Sequence, residues 1–263
     1  MARDFYAEVV GNSGIHCDDK VLVVCGGDYD KRVLESAGVK NAVISNVDYH
    51  AGVKSYAPYS WEYQDAENLT IADDSFDWVL VDAGLQHCGS PHKALCEMLR
   101  VARKGAVVVE ARDSAMMRIA IWMGFTPEFE TEPALLSDGK FGGYRNTIIP
   151  NYIYRWTERE VEKTVNTYLP QYEHSIRYVY GLRLPVQRMA MSKSLLKRTA
   201  VGVLNSASWF IEKALPKQGN CFGFIISKND ALKPWLTNGD QGLALNLDYM
   251  RKKYDPAKYV RGP

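Results

Sequence analysis

The chain has 263 residues, of which 46% are hydrophobic and 24% are charged, so it can bury one large core with or without an appended cap. Its net charge of +1 gives no overall signal for binding nucleic acid. The five cysteines form no CxxC pair and no Cys/His ligand spacing, so the sequence predicts no metal ligands. Their odd number without a secretory segment favours reduced thiols in a cytoplasmic protein.

The first predicted elements are a strand, a glycine turn, a helix and a second strand. The apolar strand Val21–Cys25 ends at Gly26–Gly27, and a second strand, Ala42–Ser45, is followed by Asn46 and Asp48. This arrangement begins nucleotide-binding α/β domains, in which a polar group at the tip of the second strand binds ribose hydroxyls. Either the side-chain amide of Asn46 or the carboxylate of Asp48 could bind the ribose here.

The rest of the chain continues the alternation of strands and helices. A helix is predicted over Pro91–Lys104, capped by Ser90 and ended by Gly105, and another begins at the Thr157 capping box and stops before Pro170. Near-continuous apolar runs separated by helices predict an α/β fold with a mostly parallel sheet, covered by helices on both faces. The further predicted strands are Ser60–Tyr63, Trp78–Val81, Ala106–Glu110, Tyr172–Tyr180 and Phe222–Ser227.

Two insertions interrupt this alternation, at residues 113–156 and 183–217. The second carries seven Lys or Arg against Glu212 alone, so its charge is +6 within a chain of net charge +1. Its apolar residues have helical spacing, which favours a cap helix packed over the active site. The alternative is a helix that lies on an anionic membrane or cradles a phosphorylated acceptor. We treat residues 1–230 as one domain with a core at 18–112, and residues 231–263 as a C-terminal extension.

Residues 64–105 carry a series of motifs at the spacing of a known family. They read Asp65-Ala66-Glu67-Asn68-Leu69, Asp74-Ser75-Phe76-Asp77, His87, Ser90-Pro91, Glu97, Arg100-Val101 and Lys104-Gly105. Over residues 18–112 the chain thus resembles the class I S-adenosylmethionine-dependent methyltransferases, specifically the small-molecule group called methyltransferase type 11. More weakly, the stretches IPNYIYRWTEREVEKT and GNCFGFIISK are similar to methyltransferases associated with bacterial surface-polysaccharide synthesis.

The resemblance implies S-adenosylmethionine as cofactor and a Rossmann-like, seven-stranded sheet in the order 3-2-1-4-5-7-6. It also implies a role for each matching position. The implied cofactor residues are Cys25, Gly26, Gly27 and Asp28 at the methionine part, Asn46 or Asp48 at the ribose, Asp65, Ala66 and Glu67 at the adenine, and Asp82, Ala83 and Gly84 beside the sulfonium.

The first glycine turn departs from the family, which usually reads D/E-x-G-x-G-x-G. Val23 replaces the acid and Cys25 the first glycine. The chain also lacks the third glycine of a dinucleotide fingerprint and any phosphate-binding loop, neither of which a phosphate-free cofactor needs. An NAD(P)-dependent oxidoreductase and a non-catalytic protein that binds only cofactor or partner remain as alternatives.

His87 is the candidate general base, because it follows the fourth strand at the edge where α/β sheets bind ligands. A loop histidine with structural hydrogen bonds is the alternative. The acceptor is predicted to be a small molecule or glycan, with O-methylation of a sugar as the favoured reaction. The candidate substrate residues are Tyr144, Arg145 and Asn146, flanked by the aromatic residues Tyr152, Tyr154 and Trp156.

Overall fold

A computed structural model describes residues 4–52, 55–183, 202, 208, 210–240 and 242–255 of the chain. Its strands are β1 Lys20–Val23, β2 Asn41–Asn46, β3 Ser60–Tyr63, β4 Phe76–Asp82, β5 Ala102–Ala111, β6 Phe129–Glu130, β7 Asn151–Tyr152, β8 Ser175–Gly181, β9 Cys221–Ser227, β10 Leu236–Gly239 and β11 Gly242–Leu245. The helices with both ends in these ranges are α1 Phe5–Gly11, α2 Asp28–Ser36, α3 Tyr49–Gly52, α4 Pro91–Val101, α5 Ala115–Trp122, α6 Glu132–Leu136, α7 Glu158–Tyr168 and α8 Leu247–Lys253. Residues 210–214 are also helical. Short 3₁₀ turns occupy Leu85–His87, Tyr144–Asn146 and Pro216–Gln218.

Seven strands form one sheet in the order β3-β2-β1-β4-β5-β9-β8. The pairs from β3 to β5 are parallel, whereas β9 runs antiparallel to both β5 and β8. Because β8 and β9 are the sixth and seventh strands of this sheet along the chain, the order 3-2-1-4-5-7-6 is confirmed. The Rossmann-like α/β fold is confirmed with it.

The two faces of the sheet bury separate layers of apolar side chains. Along β4, Trp78 and Leu80 pack into the layer that holds residues of α1 and α2, whereas Val79 and Val81 pack into the layer that holds residues of α4 and α7. This alternation follows from the two-residue period of a strand. Both layers support the carboxyl ends of β1, β2 and β4.

The helix predicted over Pro91–Lys104 ends three residues earlier, at Val101. Ala102 is already extended and begins β5, because it pairs with the first residue of β4. Gly105 therefore lies inside a strand and does not end the helix. Its φ of +155° and the carbonyl oxygen of Ile226, which a Cβ would approach to 1.9 Å, explain why glycine is needed there.

The predicted strand Tyr172–Tyr180 begins only at Ser175 in the structure. The residues before it pair elsewhere, since Tyr172 forms an isolated bridge with Leu232. The edge strand β8 therefore begins only after the Tyr172–Leu232 bridge.

Most of the basic insertion at 183–217 lies outside the described residues, at positions 184–201, 203–207 and 209. The cap helix and membrane contact predicted for it fall on that part of the chain. In the ranges that the structure does describe, no helix is both long and apolar enough to cross a membrane.

Candidate functional site

A cavity of about 670 Å³ opens at the carboxyl ends of the parallel strands, where ligands of α/β sheets bind. Several residues assigned from the sequence line it: Cys25, Asn46, Asp48, Asp65, Ala66, Glu67, Ala83, Gly84, His87, Arg145 and Asn146. Gly142 and Gly143, next to the predicted substrate residues, also line it. The lining residues for which the sequence gave no role are Val47, Tyr63, Cys88, Pro133, Leu136, Ser137 and Phe141. The predicted residues Gly26, Gly27, Asp28, Asp82 and Tyr144 lie outside the lining.

The glycine turn between β1 and α2 has the backbone conformation that glycine favours, although its first position is a cysteine. Cys25 adopts a φ of +54°, in the left-handed region. Gly26 is tightly packed, because a Cβ there would lie 2.7 Å from Cγ1 of Val23. Gly27 caps α2, and its N–H donates to the Asp30 carboxylate at 2.8 Å. The turn therefore supports the cavity mainly through its backbone.

The tip of β2 gives different roles to its two candidate ribose ligands. The Asn46 amide nitrogen donates to the Gly26 carbonyl at 3.0 Å, and its oxygen accepts from the Asp48 N–H at 3.1 Å. Both ends of the Asn46 side chain thus join the glycine turn to the strand tip. This bridge places Asp48 at the cavity and makes its carboxylate the better candidate for the ribose diol.

The segment after β3 presents one carboxylate to the cavity and uses another for its own structure. Asp65 accepts from the Glu67 N–H at 2.9 Å, and its second oxygen lies 3.6 Å from the Arg145 guanidinium. The buried Glu67 carboxylate accepts from the N–H groups of Gly89 and Ser90 at 2.8 and 2.9 Å. Glu67 therefore holds the loop before α4, while Asp65 remains the candidate partner for an adenine amino group.

Asp82, at the end of β4, faces a second acidic group beside the glycine turn. Burial, and secondly the nearby Asp30, raises the pKa of Asp82 to about 7. Burial also raises the pKa of Asp30 to about 6. A cation bound near this pair would favour both ionised forms, because opposite charges lower carboxyl pKa values.

His87 ends the short turn Leu85–His87 and lines the cavity. Two glutamates that the sequence analysis missed contact this turn. Oε1 of the buried Glu110 accepts from the Leu85 N–H at 2.7 Å, and Oε2 of Glu130 lies 3.6 Å from His87 Nε2. An acid at the end of the apolar run of β5 could have signalled Glu110, whereas no sequence pattern marked Glu130.

Residues 133–146 form the wall opposite the cofactor strands. Pro133, Leu136 and Phe141 give this wall apolar side chains, and Arg145 adds a guanidinium. Arg145 has a φ of +48°, again in the left-handed region. Such strained positions often occur at ligand sites, so this wall is the candidate acceptor surface.

The aromatic residues predicted beside this wall lie away from the cavity. Trp156 is fully buried in the core. Tyr152 and Tyr154 line a separate cleft, and the Tyr154 hydroxyl donates to Glu160 at 2.8 Å. Tyr144 likewise stays outside the lining, since its hydroxyl oxygen packs against Gly89.

The charges of the cavity suit a cationic ligand without phosphate. The lining includes the carboxylates of Asp48 and Asp65 and the largely buried carboxylate of Glu67, against the guanidinium of Arg145. A sulfonium is stabilised by such a lining, whereas a pyrophosphate would be repelled. Within the described ranges, no group of three or more His, Cys, Asp or Glu residues is placed to hold a metal ion.

Comparison with known proteins supports this assignment of the cofactor. Residues 13–109 match the family model for a methyltransferase domain. The ubiquinone/menaquinone biosynthesis C-methyltransferase UbiE of Bdellovibrio bacteriovorus is 31% identical over 111 residues, which are 39% of this chain and 47% of that protein. A demethylmenaquinone methyltransferase of Staphylococcus epidermidis is 32% identical over 103 residues, 39% of this chain and 34% of that protein. The chain thus spans less than half the length of these relatives.

Solved structures share the fold at low sequence identity. The YcgJ protein from Bacillus subtilis is 12% identical with a TM-score of 0.50, covering 86% of this chain and 97% of that one. An S-adenosylmethionine-dependent methyltransferase from Mesorhizobium loti is 10% identical with a TM-score of 0.50, covering 86% and 99%. These likenesses extend the agreement in fold beyond the stretch that the family model matches.

Proposed function

We propose that the chain is a class I S-adenosylmethionine-dependent methyltransferase and that it methylates a small acceptor molecule bound against residues 133–146. The observation that carries this proposal is the acid-lined cavity at the carboxyl edge of the sheet, without a phosphate-binding loop. When bound, the cofactor supplies an electrophilic methyl group on a sulfonium. The protein then has to align acceptor and methyl, and orientation of this kind contributes on the order of 7–11 kcal/mol.

The favoured reaction is O-methylation of a hydroxyl on a sugar-type acceptor, as in surface-polysaccharide synthesis. The wall offers an apolar face at Leu136 and Phe141 and polar groups at Arg145 and Asn146. A pyranose ring has one apolar face and several hydroxyls, so it matches both features. His87 at the cavity could accept the hydroxyl proton.

A second candidate is C-methylation of a reduced quinone ring. The printed names of the relatives, a ubiquinone/menaquinone biosynthesis C-methyltransferase and demethylmenaquinone methyltransferases, favour it. The apolar side chains of Pro133, Leu136 and Phe141 suit a flat aromatic ring as well. Both acceptors carry a hydroxyl whose proton a base can remove.

Calorimetric titration of the purified chain tests the cofactor first. We expect S-adenosylmethionine and S-adenosylhomocysteine to bind and NAD(H) not to bind, because the cavity is acidic and lacks a phosphate-binding loop. Methyl transfer from radiolabelled cofactor is then measured with a panel of monosaccharides and with a reduced naphthoquinone. Absence of S-adenosylhomocysteine binding would overturn the proposal, and binding without turnover on any acceptor would favour the non-catalytic alternative.

Substitutions at the tip of β2 separate its two candidate ribose ligands. We expect Asp48→Ala to weaken S-adenosylhomocysteine binding about 10- to 100-fold, since hydrogen bonds to a charged group contribute roughly 1.5–3 kcal/mol. Asn46→Ala should chiefly lower the melting temperature, because Asn46 bridges Gly26 and Asp48. Calorimetry and thermal unfolding of both variants check this, and equal losses of affinity would contradict the separate roles.

A further inference from the structure

We propose that Glu130 is the positioning residue that holds His87 as the proton acceptor of methyl transfer. This inference rests on the proposed function and adds to it an acceptor whose reacting group carries a proton. His87 is the cavity residue that the sequence analysis singled out, and Oε2 of Glu130 lies 3.6 Å from its Nε2. Both side chains are under one-third exposed, so solvent weakens the pairing only in part.

The Glu130 carboxylate is itself held by two side-chain amides. Gln86 donates its amide to Glu130 Oε2 at 3.0 Å, and Asn151 donates to the same oxygen at 3.4 Å. Asn151 also belongs to β7, which pairs with the strand that carries Glu130. The carboxylate is therefore held towards the turn that bears His87.

The turn is also held from the side of the sheet. Leu85 donates its N–H to Glu110 Oε1 at 2.7 Å, and the N–H of His87 donates to the Gly84 carbonyl at 3.1 Å. A carboxylate thus contacts the turn at each end. This arrangement limits the orientations available to the imidazole.

The contact assigns different roles to the two ring nitrogens of His87. A carboxylate beside Nε2 favours the tautomer with the proton on Nε2, which leaves the Nδ1 lone pair to accept a proton. The acceptor hydroxyl gives its proton to Nδ1 as its oxygen bonds to the methyl carbon. The carbon–sulfur bond breaks, and its electron pair stays on sulfur. The resulting imidazolium is stabilised by the Glu130 carboxylate, as in other base–carboxylate pairs.

Nitrogen-15 NMR of histidine-labelled protein tests the tautomer without cofactor or acceptor. At alkaline pH, where imidazoles are neutral, we expect His87 in the native protein to carry its proton mainly on Nε2. Glu130→Leu should shift His87 towards a mixture of the two tautomers. A native protein with its proton mainly on Nδ1, or no change in the variant, would overturn the proposal.

Kinetics supplies the second readout once an acceptor is found. We expect His87→Ala to lower kcat about 10²- to 10⁴-fold. Glu130→Gln should lower it roughly 10- to 100-fold, and Glu130→Asp should recover part of that loss. The affinity for S-adenosylhomocysteine should stay within a few-fold of native for the Glu130 variants, which shows that they are folded.

Glu128→Gln is the matched control, because this exposed carboxylate lies two residues before Glu130. It should leave both kcat and the His87 tautomer unchanged. A kcat for Glu130→Gln equal to that of the control would overturn the role of Glu130. If the native chain binds S-adenosylhomocysteine and methylates no acceptor, the proposed function fails, while the NMR result still decides the pairing.

Discussion

Replacing Glu110 with glutamine is expected to stabilise the protein by about 2–4 kcal/mol at pH 8 and by under about 1 kcal/mol at pH 5. Glu110 is only 3% exposed, and its Oε2 has no hydrogen-bond partner among the described residues. Burial of this kind disfavours the charged carboxylate, and it raises the pKa of Glu110 to about 8.

The sign of the pH dependence follows from where the proton binds more tightly. The folded protein holds the Glu110 proton up to about pH 8, whereas the unfolded chain loses it near the ordinary value of 4.5. The free energy of unfolding therefore falls as the pH rises between these values, by up to roughly 5 kcal/mol. Relaxation around the charged group reduces that figure. Glutamine stays neutral at every pH, so the variant lacks the fall in the free energy of unfolding that ionisation of Glu110 causes.

Urea unfolding of the native protein and the variant, at intervals from pH 5 to pH 8.5, measures the difference. Asp82→Asn is the comparison variant, because the pKa of Asp82 is raised only to about 7. This variant should make the free energy of unfolding fall less steeply with pH below pH 7. The fall between pH 7 and pH 8, which Glu110 causes, should remain. Parallel curves for Glu110→Gln and the native protein would show that Glu110 ionises freely in the folded state.

The sequence was sufficient to predict the sheet and the cofactor edge. The carboxyl ends of parallel strands meet at one edge, so residues 25, 48, 65 and 83, each just after a strand, had to converge. The side to which Asp82 points could also have been predicted. Asp82 lies an even number of residues from Trp78 and Leu80, so it is on the same face of β4 as these two residues. Both of them pack into the layer that holds residues of α1 and α2.

The partner of His87 could not be predicted from the sequence, because Glu130 lies far along the chain in a two-residue strand. Gln86, which shares this partner, is 44 residues from Glu130. An irregular segment has no periodicity from which to place a side chain. In the structure, β6 pairs with β7, and Glu130 lies beside the turn.

Trp156 could have been assigned to the core from its place in the sequence, although we predicted that it flanks the acceptor. It precedes the capping residue Thr157, and a hydrophobic residue at that position packs against the fourth residue of the helix. That residue is Val161, and both side chains are fully buried in the same cluster. The aromatic residue therefore fixes the start of α7 and does not contact an acceptor.

Gly84→Ala is expected to destabilise the protein by about 1–3 kcal/mol and to weaken S-adenosylhomocysteine binding. The reason is the tight packing of Gly84 against Cys25, two lining residues that we call the cavity floor. A Cβ on Gly84 would lie 2.5 Å from the Cys25 Cβ and 2.9 Å from Cγ2 of Val81. The φ of Gly84 is −103°, so steric overlap and not backbone strain is the cause. Gly11→Ala is the control, since nothing lies within 4 Å of the Cβ position of this exposed residue at the end of α1, and the variant should be no less stable than the native protein.

A double variant identifies which side chain makes Gly84 necessary. Cys25→Gly removes the nearest overlapping atom and also suits the φ of +54° at that position, where glycine has no steric penalty. In the Cys25→Gly background, Gly84→Ala should therefore lose less stability than in the native protein, by about 1 kcal/mol or more in a double-mutant cycle. Urea unfolding of the four proteins gives the coupling energy. A coupling near zero would mean that Val81 and not Cys25 sets the limit, and that the cysteine in the first glycine position of the turn has no steric effect across the cavity floor.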